Sequence, residues 1–478
     1  MKHAAIVAVF GFAVIAAPGC SSGSEAPTGT GGQTPTAPGS PSAPTAPTPP
    51  ATPHLPSITG DVIGMPGTPV PGLAAHYVTT GLGWLGSDDD VVFDAVIRWV
   101  GTNELGCGIL RSDRDGLVNL VLMQEQTLPD SGGGHVKHPA LPVAGNSQSV
   151  VISVGVEGGS FERGLYRVDL DGRSPVLLAI EDGGSFTNAV IADDDTVLVA
   201  RTDPAGTTLL AIRDDGTTTL CDACRREFAT DGAVVVAHDG LTAWRIELDG
   251  TREQLLSEGG PVPGMAASVE SIAAAWITAD GVPVVHARTD DPERPDAIVR
   301  FDPDPELIAA CGDLAPGSDG TYLELHPAAG SSDDVVFGAL LEGDDVRTTA
   351  IFCARPGQPA EMLAATGDPA GDLGLPMAVS YSEVVATGGG GVIFAGVIRD
   401  PTRSHEIGVF TVTPAQGVER RLTTSARVTG IDGGTVTKFL YGLREGMDLA
   451  DDGRTLVHVG IELDRQPGAT YGALIRSR

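Results

Sequence analysis

A short cluster of branched apolar residues recurs eight times along the chain: Val91-Val92-Phe93, Val150-Val151-Ile152, Val197-Leu198-Val199, Val234-Val235-Val236, Val282-Pro283-Val284-Val285, Val335-Val336-Phe337, Val392-Ile393-Phe394 and Leu456-Val457-His458-Val459. Each follows a turn rich in Asp and Gly, and such runs, short and bounded by turn residues, predict β-strands. A second apolar strand follows each cluster, at 107–113, 164–169, 209–213, 243–248, 297–301, 350–354, 407–412 and 471–475. Seven of these then turn at short Asp/Gly/Pro sequences such as Asp115-Gly116, Asp249-Gly250 and Pro356-Gly357. Asp-Gly between two strand-like runs is a strong hairpin signal because both residues tolerate positive φ. A last strand is predicted at 118–123, 176–181, 217–221, 253–256, 307–311, 362–366 and 418–423, and a less regular first strand, such as 77–84, completes each unit.

Four-stranded units repeated in series read as an all-β fold, a single β-propeller over 55–478 with eight blades, or seven because the third and fourth units are short. The eighth unit ends after its third strand. Leu55 to Asp61 resembles the close of a fourth strand at Leu363 to Asp368, so the first folded strand is expected to pair into the last blade and close the ring, leaving no open edge. This arrangement resembles uncharacterised secreted bacterial lipoproteins built of β-propeller repeats, in which a Gly-Asp-x-x-Pro-Gly element, here Gly312-Asp313-Leu314-Ala315-Pro316-Gly317, precedes a Val-x-Phe strand. The resemblance implies a fold and no activity.

The first 54 residues follow a different pattern. Lys2 and His3 precede an apolar run of about 14 residues, 4–17, too short for a membrane span and suited to a signal peptide. The run ends in Ala17-Pro18-Gly19-Cys20, which resembles a bacterial lipobox, with Ala17 where Leu is usual. The resemblance implies a signal over 1–20 and a diacylglycerol on Cys20; ordinary cleavage at a small-residue site is the alternative. Ser21 after the cysteine implies the outer rather than the inner membrane. Residues 21–54 are nearly all Gly, Ser, Thr, Ala and Pro, a disordered tether that reaches on the order of 100 Å at about 3.1 Å per residue.

Composition narrows the partners. Gly 64 and Pro 35 suit many short strands and tight turns. Lys+Arg 30 against Asp+Glu 62 gives a net charge of −32 with the basic residues scattered singly, which argues against nucleic acid and against anionic lipid except through the anchor.

No catalytic, cofactor or metal site is expected from the sequence. Gly-x-Ser-x-Gly, His-Glu-x-x-His, a Walker loop and a dinucleotide fingerprint are all missing from it. His135 and His138 lack a third ligand in sequence. Asp113-Arg114-Asp115-Gly116 and Asp169-Leu170-Asp171-Gly172 resemble pieces of a calcium loop but read as type I turns with a Gly bulge. The acidic turns, at Asp88 to Asp90, Asp193 to Asp195, Asp333 and Asp334, Asp451 and Asp452, Asp115, Asp171, Asp215 and Asp249, should share one face of the propeller. Longer loops at 201–207, 288–296, 342–348, 399–406 and 463–470 should form the other, the first place to look for a ligand. Cys107, Cys221, Cys224, Cys311 and Cys353 remain after Cys20, so at least one is free or bonded between chains. Cys221 with Cys224 is the favoured disulfide, and Cys311 with Cys353 a weaker pairing. The expected function is a monomeric, lipid-anchored envelope module that binds a protein or glycan; the alternative is a lyase or hydrolase with a dispersed central site.

Overall fold

A computed structural model of the chain describes residues 60–477, apart from 86–89, 147, 171–174, 193, 331, 344–345, 388–390, 400–405, 415–416, 425, 427–433, 440–446, 450–454 and 464–465. The expected signal, Cys20, the tether and the first five residues of the expected closing strand lie outside the described residues, as do Asp88, Asp89, Asp171, Asp193, Asp451 and Asp452.

Among the described residues the strands form eight sheets, each built on a meander of antiparallel strands; the two-residue strand Ala329–Gly330 adds a parallel pairing to the first strand of the seventh. In chain order, sheets I to VII span 75–123, 135–180, 185–221, 228–257, 269–310, 321–365 and 377–423. Sheet VIII is built from 434–477. The short third and fourth units each hold four strands. The only helical element among the described residues is the turn Gly371–Leu373, and none is long and apolar enough to cross a membrane.

The apolar clusters fall in the second strands, and those of the first two sheets are buried throughout: Val91, Val92 and Phe93 are fully enclosed, as are Val150, Val151 and Ile152. Successive side chains of a strand point to opposite faces, so an unbroken apolar run means that both faces are covered. Val91 and Phe93 pack with Leu110 against Ile63 and Leu456 of sheet VIII, whereas Val92 and Ile109 pack against Val150 and Ile152 of sheet II. The same alternation continues around the chain. Val151 and Leu165 meet Val197 and Val199 of sheet III, and Leu198 meets Val235 and Ile246 of sheet IV. One continuous core runs through sheets IV, V and VI; Val336 and Ile351 meet Phe394 and Phe410 of sheet VII; Ile393 and Val409 meet Val459 and Ile475 of sheet VIII. Sheets stacked face to face in sequence order, each in register with its neighbours in the repeat, constitute a β-propeller architecture.

The repeat extends to irregularities. In sheets I to VII the pairing of third and fourth strands slips at one equivalent place, leaving Val121, Leu178, Leu220, Leu255, Ile308, Leu363 and Arg421 as the extra residue. A β-bulge of this kind adds local twist, which the fan of sheets requires.

The N-terminal strand of the last sheet is displaced from the one read in the sequence. Among the described residues Gly60–Gly64 is the outermost strand of sheet VIII; it overlaps the expected 55–61 at its first two residues, runs on to Gly64, and pairs antiparallel with the C-terminal strand, Gly60 opposite Ser477 and Gly64 opposite Leu474. The connector that follows explains the error. In five connectors a residue with positive φ donates its N–H to a carbonyl at the start of the next sheet: Gly67 to Tyr77, Glu125 to Val136, Gly259 to Val269, Gly312 to Tyr322 and Gly367 to Met377, all at 2.7–2.8 Å. The equivalent of Gly367-Asp368 is therefore Gly67-Thr68, not Gly60-Asp61. Glu125, at φ 68, occupies a position that glycine fills in the other four. Left-handed geometry costs a residue with a Cβ about 1 kcal/mol. Glu125→Gly is expected to raise stability by about that amount in denaturant titration, less the small loss of its exposed contact with His135 at 3.4 Å.

Candidate functional site

The first strand of sheet IV, Phe228–Thr230, is three residues long, against nine in sheet V and seven in sheet VI. Its start is set by the connector before it. Cys221 and Cys224 form a disulfide with Cα atoms 6.0 Å apart, Ala223 between them takes φ 61, and the Arg225 N–H donates to the His238 carbonyl at 2.7 Å. Only from Phe228 does the ladder to the second strand begin, Phe228 opposite Ala237. In sheet V the first strand bulges at Ala273, which has no partner between Ile272 and Ala274. The short strand and the bulge leave a cleft of about 40 Å³ between sheets IV, V and VI, walled by Phe228, Trp276 and Pro327 and by the alanines of the bulge.

Two titratable side chains line it, Glu227 and His238. His238 is 4 % exposed, and its Nδ1 is buried with no hydrogen-bond partner. Burial, reinforced by the Arg225 guanidinium and opposed by Asp239, holds the imidazole neutral down to about pH 4. A base whose folded pKa is depressed contributes stability above its unfolded value of 6.5 that is lost as pH falls towards 4. His238→Gln is expected to flatten the melting temperature of the chain between pH 6.5 and 4, by scanning calorimetry.

A second perturbed group is Asp94, on the second strand of sheet I, opposite the bulge of the first strand at Gly81. A Cβ at Gly81 would overlap the Asp94 carboxylate, so glycine is what admits it. Its Oδ1 is buried and unpartnered, and burial raises its pKa to about 6 against a weaker opposing hydrogen bond from its own backbone. An acid with a raised folded pKa contributes stability that is complete below the unfolded value of 3.8 and lost as pH rises through 6. At about 1.4 kcal/mol per unit, Asp94→Asn is expected to stabilise the protein at pH 7 by about 3 kcal/mol and to do little at pH 4, by denaturant titration at the two pH values. Both groups escaped the reading of the sequence. The available signal was an ionisable residue in or at the end of an apolar run, Val91-Val92-Phe93-Asp94-Ala95-Val96 and Val234-Val235-Val236-Ala237-His238.

The residues singled out from the sequence are dispersed. His135 faces Glu125, while the His138 ring lies over Gly155. No group of three metal-binding side chains forms among the described residues. Asp113 Oδ1 accepts the Leu117 N–H at 2.8 Å and Gly116 takes φ 83, which makes 113–116 a hairpin turn. Asp231 and Asp249 likewise accept the N–H groups of Val234 and Thr251. Cys311 and Cys353 are free thiols, not the weaker disulfide expected; burial first, and then neighbouring carboxylates, push each up to about 12, so neither is a ready nucleophile. In three of the loops expected to be long on the opposite face the flanking strands run further than the apolar pattern marks, pairing out to Asp203 with Gly206, Glu342 with Arg347 and Leu463 with Gln466.

No family model and no curated protein matches the sequence. Among solved structures, tricorn protease is similar over 84 % of this chain and 44 % of its own, at 9 % identity and a TM-score of 0.39; the chain thus spans less than half of that protein. The β-propeller domain of the Trilobed protease from Pyrococcus furiosus is similar over 73 % of this chain and 96 % of its own, at 9 % identity and a TM-score of 0.36. A streptogramin B lyase is similar over 73 % and 95 %, at 9 % identity and 0.33. None of these likenesses carries an activity to this chain.

Proposed function

We propose that the chain is an eight-bladed, closed β-propeller held at the cell envelope by a lipid on Cys20 and the tether of residues 21–54, and that it serves as a binding or scaffold module for a protein or glycan. The observation that carries the ring is the seam between the last sheet and the first. Ile63 and Leu456 of sheet VIII share a core with Val91 and Phe93 of sheet I, and the Arg476 guanidinium reaches the Arg114 carbonyl at 3.4 Å. Binding rather than turnover is favoured by the cleft, whose walls are mostly apolar around one neutral imidazole. Asp194 and Asp249 among the acidic turns, and Asp113, Asp231 and Asp239 elsewhere, accept backbone N–H groups of their own turns, so acidity at these positions serves the fold as well as solubility.

Two measurements test the reading. Mass spectrometry of the mature N-terminus is expected to find diacylglycerol on Cys20; an unmodified terminus elsewhere removes the anchor. The full-length protein, used as bait in an envelope extract, is expected to retain the same partner at low and moderate salt, and retention of nothing under both conditions rejects the binding role.

A further inference from the structure

We propose that the cleft between sheets IV, V and VI binds a neutral hydroxyl-bearing group, such as the hydroxymethyl arm of a sugar, with His238 Nδ1 as its hydrogen-bond partner. The proposal rests on the binding-module reading and narrows its ligand. A buried imidazole nitrogen with no partner is costly, and a group that enters and bonds it recovers that cost. The charges around the cleft select what enters. A carboxylate or phosphate would face Glu227 in the lining, and an ammonium would face the Arg225 guanidinium, which lies near enough to act on His238. A hydroxyl meets neither penalty, and it can donate to or accept from either tautomer of a neutral imidazole. Size agrees: about 40 Å³ admits one small polar group and its carbon, not a whole ring. Trp276 is itself buried, so it offers a wall for C–H groups rather than an open stacking platform.

The test follows the histidine ring resonances of the full-length protein by NMR, with the His238 signal assigned by its loss in His238→Gln. Methyl glucoside and ethylene glycol are expected to shift that signal saturably, and methylammonium and acetate at equal concentration are not. Ala273→Leu, which fills the cleft from an unpaired bulge position and leaves His238 in place, is expected to weaken the response at least tenfold. Absence of a saturable shift with either neutral probe, an equal shift with an ionic one, or an undiminished response in Ala273→Leu would overturn the proposal. If the full-length protein and the Ala273→Leu variant retain the same envelope partner equally well while these probes fail, the site is wrong and the binding role stands.

Discussion

Replacing Arg111 with alanine is expected to destabilise the protein by about 3–5 kcal/mol, among the larger costs of any single side-chain truncation. Arg111 stands on the third strand of sheet I and bonds the Asp90 carboxylate through Nε at 2.8 Å and through Nη2. Its Nη1 crosses the seam to the Leu170 carbonyl of sheet II at 3.1 Å. Asp90 is 5 % exposed, so truncating the arginine strands a buried carboxylate and an unsatisfied carbonyl at once. Asp90→Asn combined with Arg111→Met removes both charges and should recover more than half of the loss. Urea denaturation of the two variants measures this; a loss below about 1 kcal/mol for Arg111→Ala would show that water replaces the arginine. The contact is repeated at other seams. Arg213 of sheet III donates to the Leu248 carbonyl of sheet IV at 2.8 Å, Arg167 of sheet II approaches Asp214 of sheet III at 3.7 Å, and Arg476 joins sheet VIII to sheet I. In each case an arginine on a third strand reaches the turn between third and fourth strands of another sheet, so the Arg476 contact between sheets VIII and I repeats those between neighbouring sheets inside the chain.

Deleting residues 60–64 is expected to cost about 4 kcal/mol and to expose the backbone of 474–477 to hydrogen exchange. Ile63 alone is a buried side chain of the seam core, which amounts to about 2 kcal/mol, and the lost ladder adds about 1 kcal/mol per hydrogen bond over a short strand. The deletion leaves the C-terminal strand as an open edge, a site for pairing with another copy, so a concentration-dependent increase in mass should accompany the loss. Exchange of 474–477 at the rate of the intact protein, with an unchanged denaturation midpoint, would show that the N-terminal strand does not hold the last sheet and would count against the proposed closure.

The strands were legible because burial on two faces writes itself as consecutive apolar residues. Val335-Val336-Phe337 could be read as a strand without knowing that Val335 and Phe337 face sheet V and Val336 sheet VII. The turns were legible because Asp and Gly at 115–116 and 249–250 take the conformations that hairpins need, with Gly116 at φ 83 and Gly250 at φ 92. Register was not. Gly60-Asp61 and Gly367-Asp368 are alike in sequence, yet Gly67, opposite Tyr77, is the structural equivalent of Gly367.

The amino-acid sequence by itself determined the all-β class, the number and order of the strand clusters and most of their turns, because these depend on side-chain polarity and φ preference within a few residues. Tertiary structure decided which strand closes the last sheet, which thiols stay unpaired, and where His238 and Asp94 lose their water. Those outcomes depend on what a distant part of the chain places against a residue, and neither pairing register nor desolvation has a local signature.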